Sequence, residues 1–325
     1  MIYTTRIHEN PPASGTGIRL AIYQGQQPVG TPKAIAENID ALEKVAGKAK
    51  KFGADIISFP ELYIEGYTLT PDIAHKLAES FDGPSMRHVA SIAKEKKIGI
   101  VCPYAEKEEQ GSRIFYYDSI AVFDTNGELV INYRKTHLFG QAERDNWDFG
   151  SVDSKENPFL VREVAGFPIA VLNCYEAEFF ELSRILALQG AKLIIIPTAA
   201  DFYYTLPNGK KTSVAYPDIS KNLIPAHAYE NNCFISYCNR AGTETVNGET
   251  WRYRGNSIIV GPHGDIIIAA RNEPTLLIAD CIPTEYSRTH PEGDYLKDRR
   301  PELYKKLTDM KGEFDGGYVY KKPSK

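Results

Sequence analysis

Cysteine is scarce: five in 325 residues, an odd number, scattered singly at 102, 174, 233, 238 and 281. That excludes a disulfide framework of the kind that staples small secreted domains. Cys233 and Cys238 are five apart, so on one strand they point to opposite faces, which argues against a shared zinc site. Cys102, Cys233, Cys238 and Cys281 fall in apolar, strand-like runs and read as buried, reduced thiols of a cytoplasmic protein. No apolar run approaches the ~18 residues that a membrane span requires, so no membrane association is expected. Residues 1–17 are polar and carry Pro11 and Pro12, unlike a signal peptide. Positive charge is in no excess. With 38 basic and 42 acidic residues the net charge is −4. No basic stripe or aromatic–basic interleaving appears, so no nucleic-acid partner is expected.

What is present is ordinary globular composition, 42% apolar and 25% charged. At about 150 residues per domain the length suggests two domains. No linker divides the chain, however, and single α/β folds reach this size. Residues 18–23 read as a first strand. Ile35, Ile39, Leu42, Val45, Ala49 and Phe52 then recur at helical spacing, with Pro32 near the start and Gly53 as the stop. Strand 55–59, a helix around Val89–Ala93 and strand 98–102 follow. Hairpins are expected at 114–123 with 128–133 and at 257–260 with 265–269. A helix at 178–189, a strand at 193–196, a helix at 222–230 and a strand at 234–238 complete the alternation. Helices alternating with apolar strands, plus hairpins, predict a mixed α/β sheet. Residues 201–218 are polar, tyrosine-rich and punctuated by Pro and Gly. They read as an insertion that can act as a lid. Residues 1–17 form an N-terminal extension, and residues 305–325, rich in glycine after Met310, a C-terminal tail or arm.

Three strand ends carry chemistry. Cys174 closes the apolar run 168–173 and precedes a helical pattern, a position that favours thiolate. Glu61 follows Phe59-Pro60, and Leu62, Tyr63, Ile64 and Tyr67 give it an apolar wall that suits a buried carboxylate serving as a base. Lys135 ends the run before Thr136-His137-Leu138-Phe139-Gly140. A thiol, an acid and an amine at three strand ends can meet in one pocket. On pattern alone each also has a plain reading: a core cysteine, a capping acid, a solvated lysine.

FPELY, YRKTHLFG and NCYEAEFFE, in that order, resemble the nitrilase (carbon–nitrogen hydrolase) superfamily over residues 18 to about 304. Pro197-Thr198-Ala199, Glu143-Arg144, 228–232 and Gly255-Asn256-Ser257 agree. Glu176 and Phe180 stand where the family often has Asp and Pro. The resemblance implies a four-layer α-β-β-α sandwich, usually dimerised through helices, acting on a small amide with water and with no metal or organic cofactor. Among its branches the aliphatic-amide amidases are the nearest in pattern. It makes Cys174 the nucleophile, Glu61 the general base and Lys135 the oxyanion stabiliser, beside the Tyr175 N–H. Glu143 would orient the lysine or substrate. Tyr67, Tyr175, Glu178, Thr198 and Ala199 would line the substrate pocket. His137, the partner for a Cys–His dyad, sits two residues from Lys135 and fits a structural role better.

Glu178, one turn after Cys174, is the substrate clue. Related enzymes for carboxylated amides carry arginine there, whereas an acid favours an ammonium group. Its plain alternative is a helix residue paired with a lysine. Glu176 adds negative potential nearby. The leading expectation is therefore an amidase releasing ammonia. The rivals are a nitrilase, an N-carbamyl amidohydrolase and a non-catalytic binding protein on the same fold. Tyr175 argues against a nitrilase, the missing arginines against a carbamylase, and the intact Glu61, Lys135 and Cys174 against a silent scaffold.

Overall fold

The computed structural model describes residues 1–150, 157–203, 212–246, 248–287 and 290–309. Two compact units divide the chain at residues 289 and 290. The second holds, among the described residues, one 3₁₀ turn (Pro301–Leu303) and one short helix (Lys305–Asp309).

The first unit carries both sheets. One runs in the order β1 (Ile2–Arg6), β15 (Thr275–Cys281), β2 (Ile18–Gln24), β3 (Ile56–Ser58), β4 (Gly99–Gln110), β5 (Arg113–Phe123), β6 (Leu129–Arg134). The other runs β14 (Ile266–Ala269), β13 (Ile258–Val260), β10 (Phe234–Asn239), β9 (Leu193–Thr198), β8 (Phe167–Val171), β7 (Arg162–Val164). A separate hairpin pairs β11 (Thr243–Val246) with β12 (Glu249–Arg252). Strands β2, β3 and β4 are mutually parallel, as are β8, β9 and β10. Parallel strands buried on both faces explain the unbroken apolar runs in the sequence.

The two sheets face each other. Leu20, Ile22, Val101 and Val122 of the first meet Ile169, Val171, Ile195 and Phe234 of the second in one buried core. Helix α1 (Pro32–Lys51) and helix α3 (Pro84–Lys96) cover the outer face of the first sheet. Helix α5 (Phe180–Leu188) and helix α7 (Ile224–Asn231) cover the second. The result is the expected four-layer α-β-β-α sandwich. Helix α1 shows why the local sequence works. Thr31 caps it by accepting from the Ala34 N–H at 3.0 Å, Pro32 opens it, and Lys48, Lys50 and Lys51 face its negative end. Its Ile39, Leu42, Val45 and Ala49 are buried. No described helix is long and apolar enough to cross a membrane.

Several elements differ from expectation. Residues 1–17 are more than an extension, because β1 adds a parallel edge strand to β15. β4 continues past Cys102 to residue 110 and pairs β5 in a long hairpin turned at Gly111, where φ is +62°. Helix α2 (Pro71–Leu77) and helix α4 (Gly140–Asn146) arise in stretches without long periodicity. The helix expected at 222–230 is two pieces, α6 (Ile219–Asn222) and α7. Pro225, which cannot donate a backbone hydrogen bond, sits in the first turn of α7. Of the 201–218 insertion, 204–211 lies outside the described residues, as does 310–325 of the tail.

Candidate active site

Strands β3, β6 and β8 end on one side of the sandwich and deliver Glu61, Lys135 and Cys174. The chain turns sharply at two of these ends. Cys174 has φ +50° and Leu62, after Glu61, has φ +46°, left-handed values that non-glycine residues adopt at a cost. The helix expected at 178–189 is α5, which begins two residues later than expected and not at Cys174. A single 3₁₀ turn (Cys174–Glu178) ends at the extended residue Phe179, and α5 starts only at Phe180. The thiol therefore lacks a long helix behind it. Burial pushes it well above the ordinary thiol range, and the neighbouring Glu61 pushes it further. Lys135 and the Ala199 backbone act against them. Burial and Glu61 thus work against the expected thiolate, and a neighbouring base is needed to take the thiol proton.

Lys135 is buried and its Nζ is surrounded by acids. It lies 2.5 Å from Glu61 Oε1, 2.8 Å from Glu143 and 3.4 Å from Asp118 Oδ2. Burial alone would lower the lysine pKa. The carboxylates of Glu143, Glu61 and Asp118 overcome that and raise it well above its usual value. One oxygen each of Glu61, Asp118 and Glu143 falls within 4.8 Å of the others, a spacing that can hold a cation. Here the Lys135 ammonium itself occupies that position. Glu143 lies on α4. It accepts from Lys135 Nζ, from Tyr67 Oη at 2.6 Å and from the Phe139 N–H at 2.7 Å.

Behind these groups stands a buried frame. Arg240, fully buried, donates to the Glu61 and Leu62 carbonyls and pairs with Glu244. Glu244 in turn accepts from the Tyr67 and Thr68 N–H groups and from Tyr253. Glu176 is equally buried and is no part of the pocket entrance, which corrects the expected negative potential there. It accepts from Tyr133 Oη, the Thr136 N–H and Oγ1, the His137 N–H and the Asn173 N–H. Burial would raise its pKa, but these bonds win and lower it. The Lys135 loop and the Cys174 turn are thus tied to one carboxylate. His137 belongs to this brace, packing on Phe179 at 4.6 Å between ring centroids.

Cys174 opens into a narrow cavity of about 40 Å³, the space of a few water molecules. Tyr67, Tyr175, Glu178 and Ala199 line it. Thr198 is buried outside the lining, and its hydroxyl donates to the Ile196 carbonyl at 3.2 Å. The rest of the wall was not foreseen: Phe139, Tyr216, Tyr237 and Trp251 are aromatic, and Asp201 adds an acid. Tyr216 donates to the Glu178 carboxylate, 3.0 Å from Oε1 and 2.9 Å from Oε2. Burial raises the Glu178 pKa, which the Tyr216 bond partly offsets. The one signal among them was the tyrosine-rich character of 201–218, the segment that holds Tyr216.

The carbon-nitrogen hydrolase family model matches residues 19–290. A hydrolase from the pqqF 5' region of Pseudomonas protegens is 34% identical over 90% of this chain and 92% of its own. An N-carbamoylputrescine amidase of rice is 29% identical over 86% of this chain and 91% of its own. A mutant amidase from Nesterenkonia sp. AN1 superposes with TM-score 0.68 at 26% identity, over 92% of this chain and 99% of its own. That structure holds the acetamide moiety of fluoroacetamide covalently on the active-site cysteine. With sandwich, strand ends and motifs agreeing along nearly its whole length, the chain belongs to the carbon–nitrogen hydrolase family of the nitrilase superfamily.

Proposed function

We propose that the protein hydrolyses a small, linear, non-peptide amide to a carboxylic acid and ammonia through a thioester on Cys174. One observation carries this reading: the Cys174 thiol opens into a small pocket beside a buried acid–lysine–acid cluster. Glu61 takes the thiol proton as Sγ attacks the amide carbon. Lys135 and the Tyr175 backbone N–H stabilise the oxyanion. The amide nitrogen receives the proton from Glu61 and leaves as ammonia. Water then attacks the thioester, giving its proton to Glu61, and the thiol is restored as the acid departs. Glu143 holds Lys135 and Tyr67 in place.

Glu178, set among Tyr175, Tyr216 and Trp251, favours a substrate with a distal amine. A carboxylate among aromatic faces attracts a cation. The similarity to an N-carbamoylputrescine amidase supports a second reading, in which the scissile group is a carbamoyl group on an amine. Five free cysteines support a reducing, cytoplasmic setting. Exposed Phe180 and Leu188 on α5 and Tyr229 on α7 support a homodimer formed through the helix layer.

Ammonia release from a panel of aliphatic amides, aminated and carboxylated amides, nitriles and N-carbamyl amines tests the reading. Wild type should turn over amides, and Cys174→Ala none. Preferred turnover of nitriles, or no turnover of any member, would overturn the amidase assignment.

A further inference from the structure

Asp118 is a fully buried acid that none of the motifs accounts for. It lies on β5 beside Lys135, whose N–H donates to its carbonyl at 2.9 Å. Its Oδ1 accepts from the Asn173 side chain at 2.8 Å, the residue before Cys174. Its Oδ2 has no hydrogen-bond partner, and neither has Oε2 of the equally buried Glu61. Lys135 is the weaker neighbour for Asp118: its Nζ stands 3.4 Å from Oδ2, against 2.5 and 2.8 Å from Glu61 and Glu143. The two side chains are neighbours, each with one carboxyl oxygen inside the cluster that spans 4.8 Å, and two buried carboxylates so placed repel if both are ionised. One proton between them satisfies both.

We propose that Asp118 is a positioning residue that keeps a proton on Oδ2 and donates it as a hydrogen bond to Glu61 Oε2. Glu61 is then fixed from both sides, by Lys135 on Oε1 and by Asp118 on Oε2. Each carboxylate oxygen has a second lone pair, so Glu61 can still accept the Cys174 proton. Through Asn173 the same side chain links the base to the strand that carries the thiol. The cluster's charge also becomes consistent. Three carboxylates around one ammonium leave two negative charges, and the proton on Asp118 reduces them to one. The titratable groups facing Asp118 are Glu61, Lys135 and Glu143, with Cys174 beyond them. Burial and then Glu61 hold the Asp118 carboxyl well above the usual range, although Lys135 pulls it down.

The inference rests on Glu61 as the base, and its test separates the two. Infrared spectra of the full-length protein at neutral pH should contain a protonated-carboxyl C=O band that Asp118→Asn removes. An unchanged difference spectrum overturns the shared proton, whatever Glu61 does. In steady-state assays Asp118→Ala should lower kcat by about 30-fold or more, the scale of a misplaced catalytic base. Asp118→Asn should recover about tenfold of that loss, because its amide can accept from Asn173 and donate to Glu61. Full recovery is not expected, since the amide N–H₂ sits beside Lys135. If Asp118→Asn is no faster than Asp118→Ala, the negative charge mattered and the proposal fails. Glu61→Gln with full activity would instead refute the base assignment and leave the infrared result standing.

Discussion

Lys135 Nζ lies 2.5 Å from Glu61 Oε1 with both side chains fully buried. Neither group is independent of the other: the lysine supplies the charge that lets the acid stay ionised without water, and the acid does the same for the lysine. Breaking one partner of such a buried pair leaves an uncompensated charge.

Groups that act as one unit lose activity non-additively. Glu61→Gln and Lys135→Ala should each lower kcat/KM by about 10³-fold or more, and the double variant should be little worse than the worse single. The check is a double-mutant cycle on one amide substrate. Losses that multiply would show two separate sites.

Substrate charge should be read by Glu178. An aminated amide should exceed a carboxylated amide of equal length in kcat/KM by about tenfold or more, which needs only ~1.4 kcal/mol. Glu178→Gln should narrow the ratio and leave neutral amides nearly unchanged. Because burial raises the Glu178 pKa, wild type should lose this preference on acidification earlier than an ordinary glutamate would. A ratio unaffected by Glu178→Gln would make Glu178 a structural helix residue.

Glu65 gives the fold a pH dependence. It is buried, accepts from the Ala105 N–H at 2.9 Å, and burial pushes its pKa up to about 8. The folded protein therefore binds a proton that the unfolded chain releases near pH 4.5. Stability from this group is full below that pH, falls as pH rises, and is lost above about pH 8. The span is worth on the order of 5 kcal/mol. Thermal melts of Glu65→Gln should show a flatter pH profile between those limits, and a profile as steep as wild type would contradict this.

Assembly is the fourth expectation. Light scattering at micromolar concentration should give at least twice the 36.3 kDa chain mass. Phe180→Glu with Leu188→Glu should shift the protein toward monomer. A wild-type monomer at that concentration would refute the dimer.

Much of the site was legible in the sequence. Glu61, Lys135 and Cys174 stand at strand ends that buried apolar runs made visible, and Glu143 followed from its motif. Asp118 was not legible. It sits mid-strand, and a bulge between Val122 and Phe123 shifts the β5–β6 register by one residue. Counting back from the turn would have placed Tyr117, not Asp118, opposite Lys135. The thiolate expectation leaned on a helix close behind Cys174, where the Glu176 carboxylate, accepting from the Asn173 N–H, closes a short 3₁₀ turn instead. Glu176 was expected to lend negative potential near the pocket because sequence spacing cannot show five converging donors. Tyr216 and Trp251 reach the pocket from an insertion and a separate hairpin, contacts far apart in the chain that no local pattern encodes.

The central claim is a covalent acyl group on Cys174. Wild-type enzyme mixed with a good amide substrate and quenched in acid within one turnover should be analysed by peptide mass spectrometry. The acyl mass should appear on the Cys174 peptide and be absent from Cys174→Ala, which should also release no ammonia. Turnover in Cys174→Ala, or an acyl group on any other residue, would contradict it.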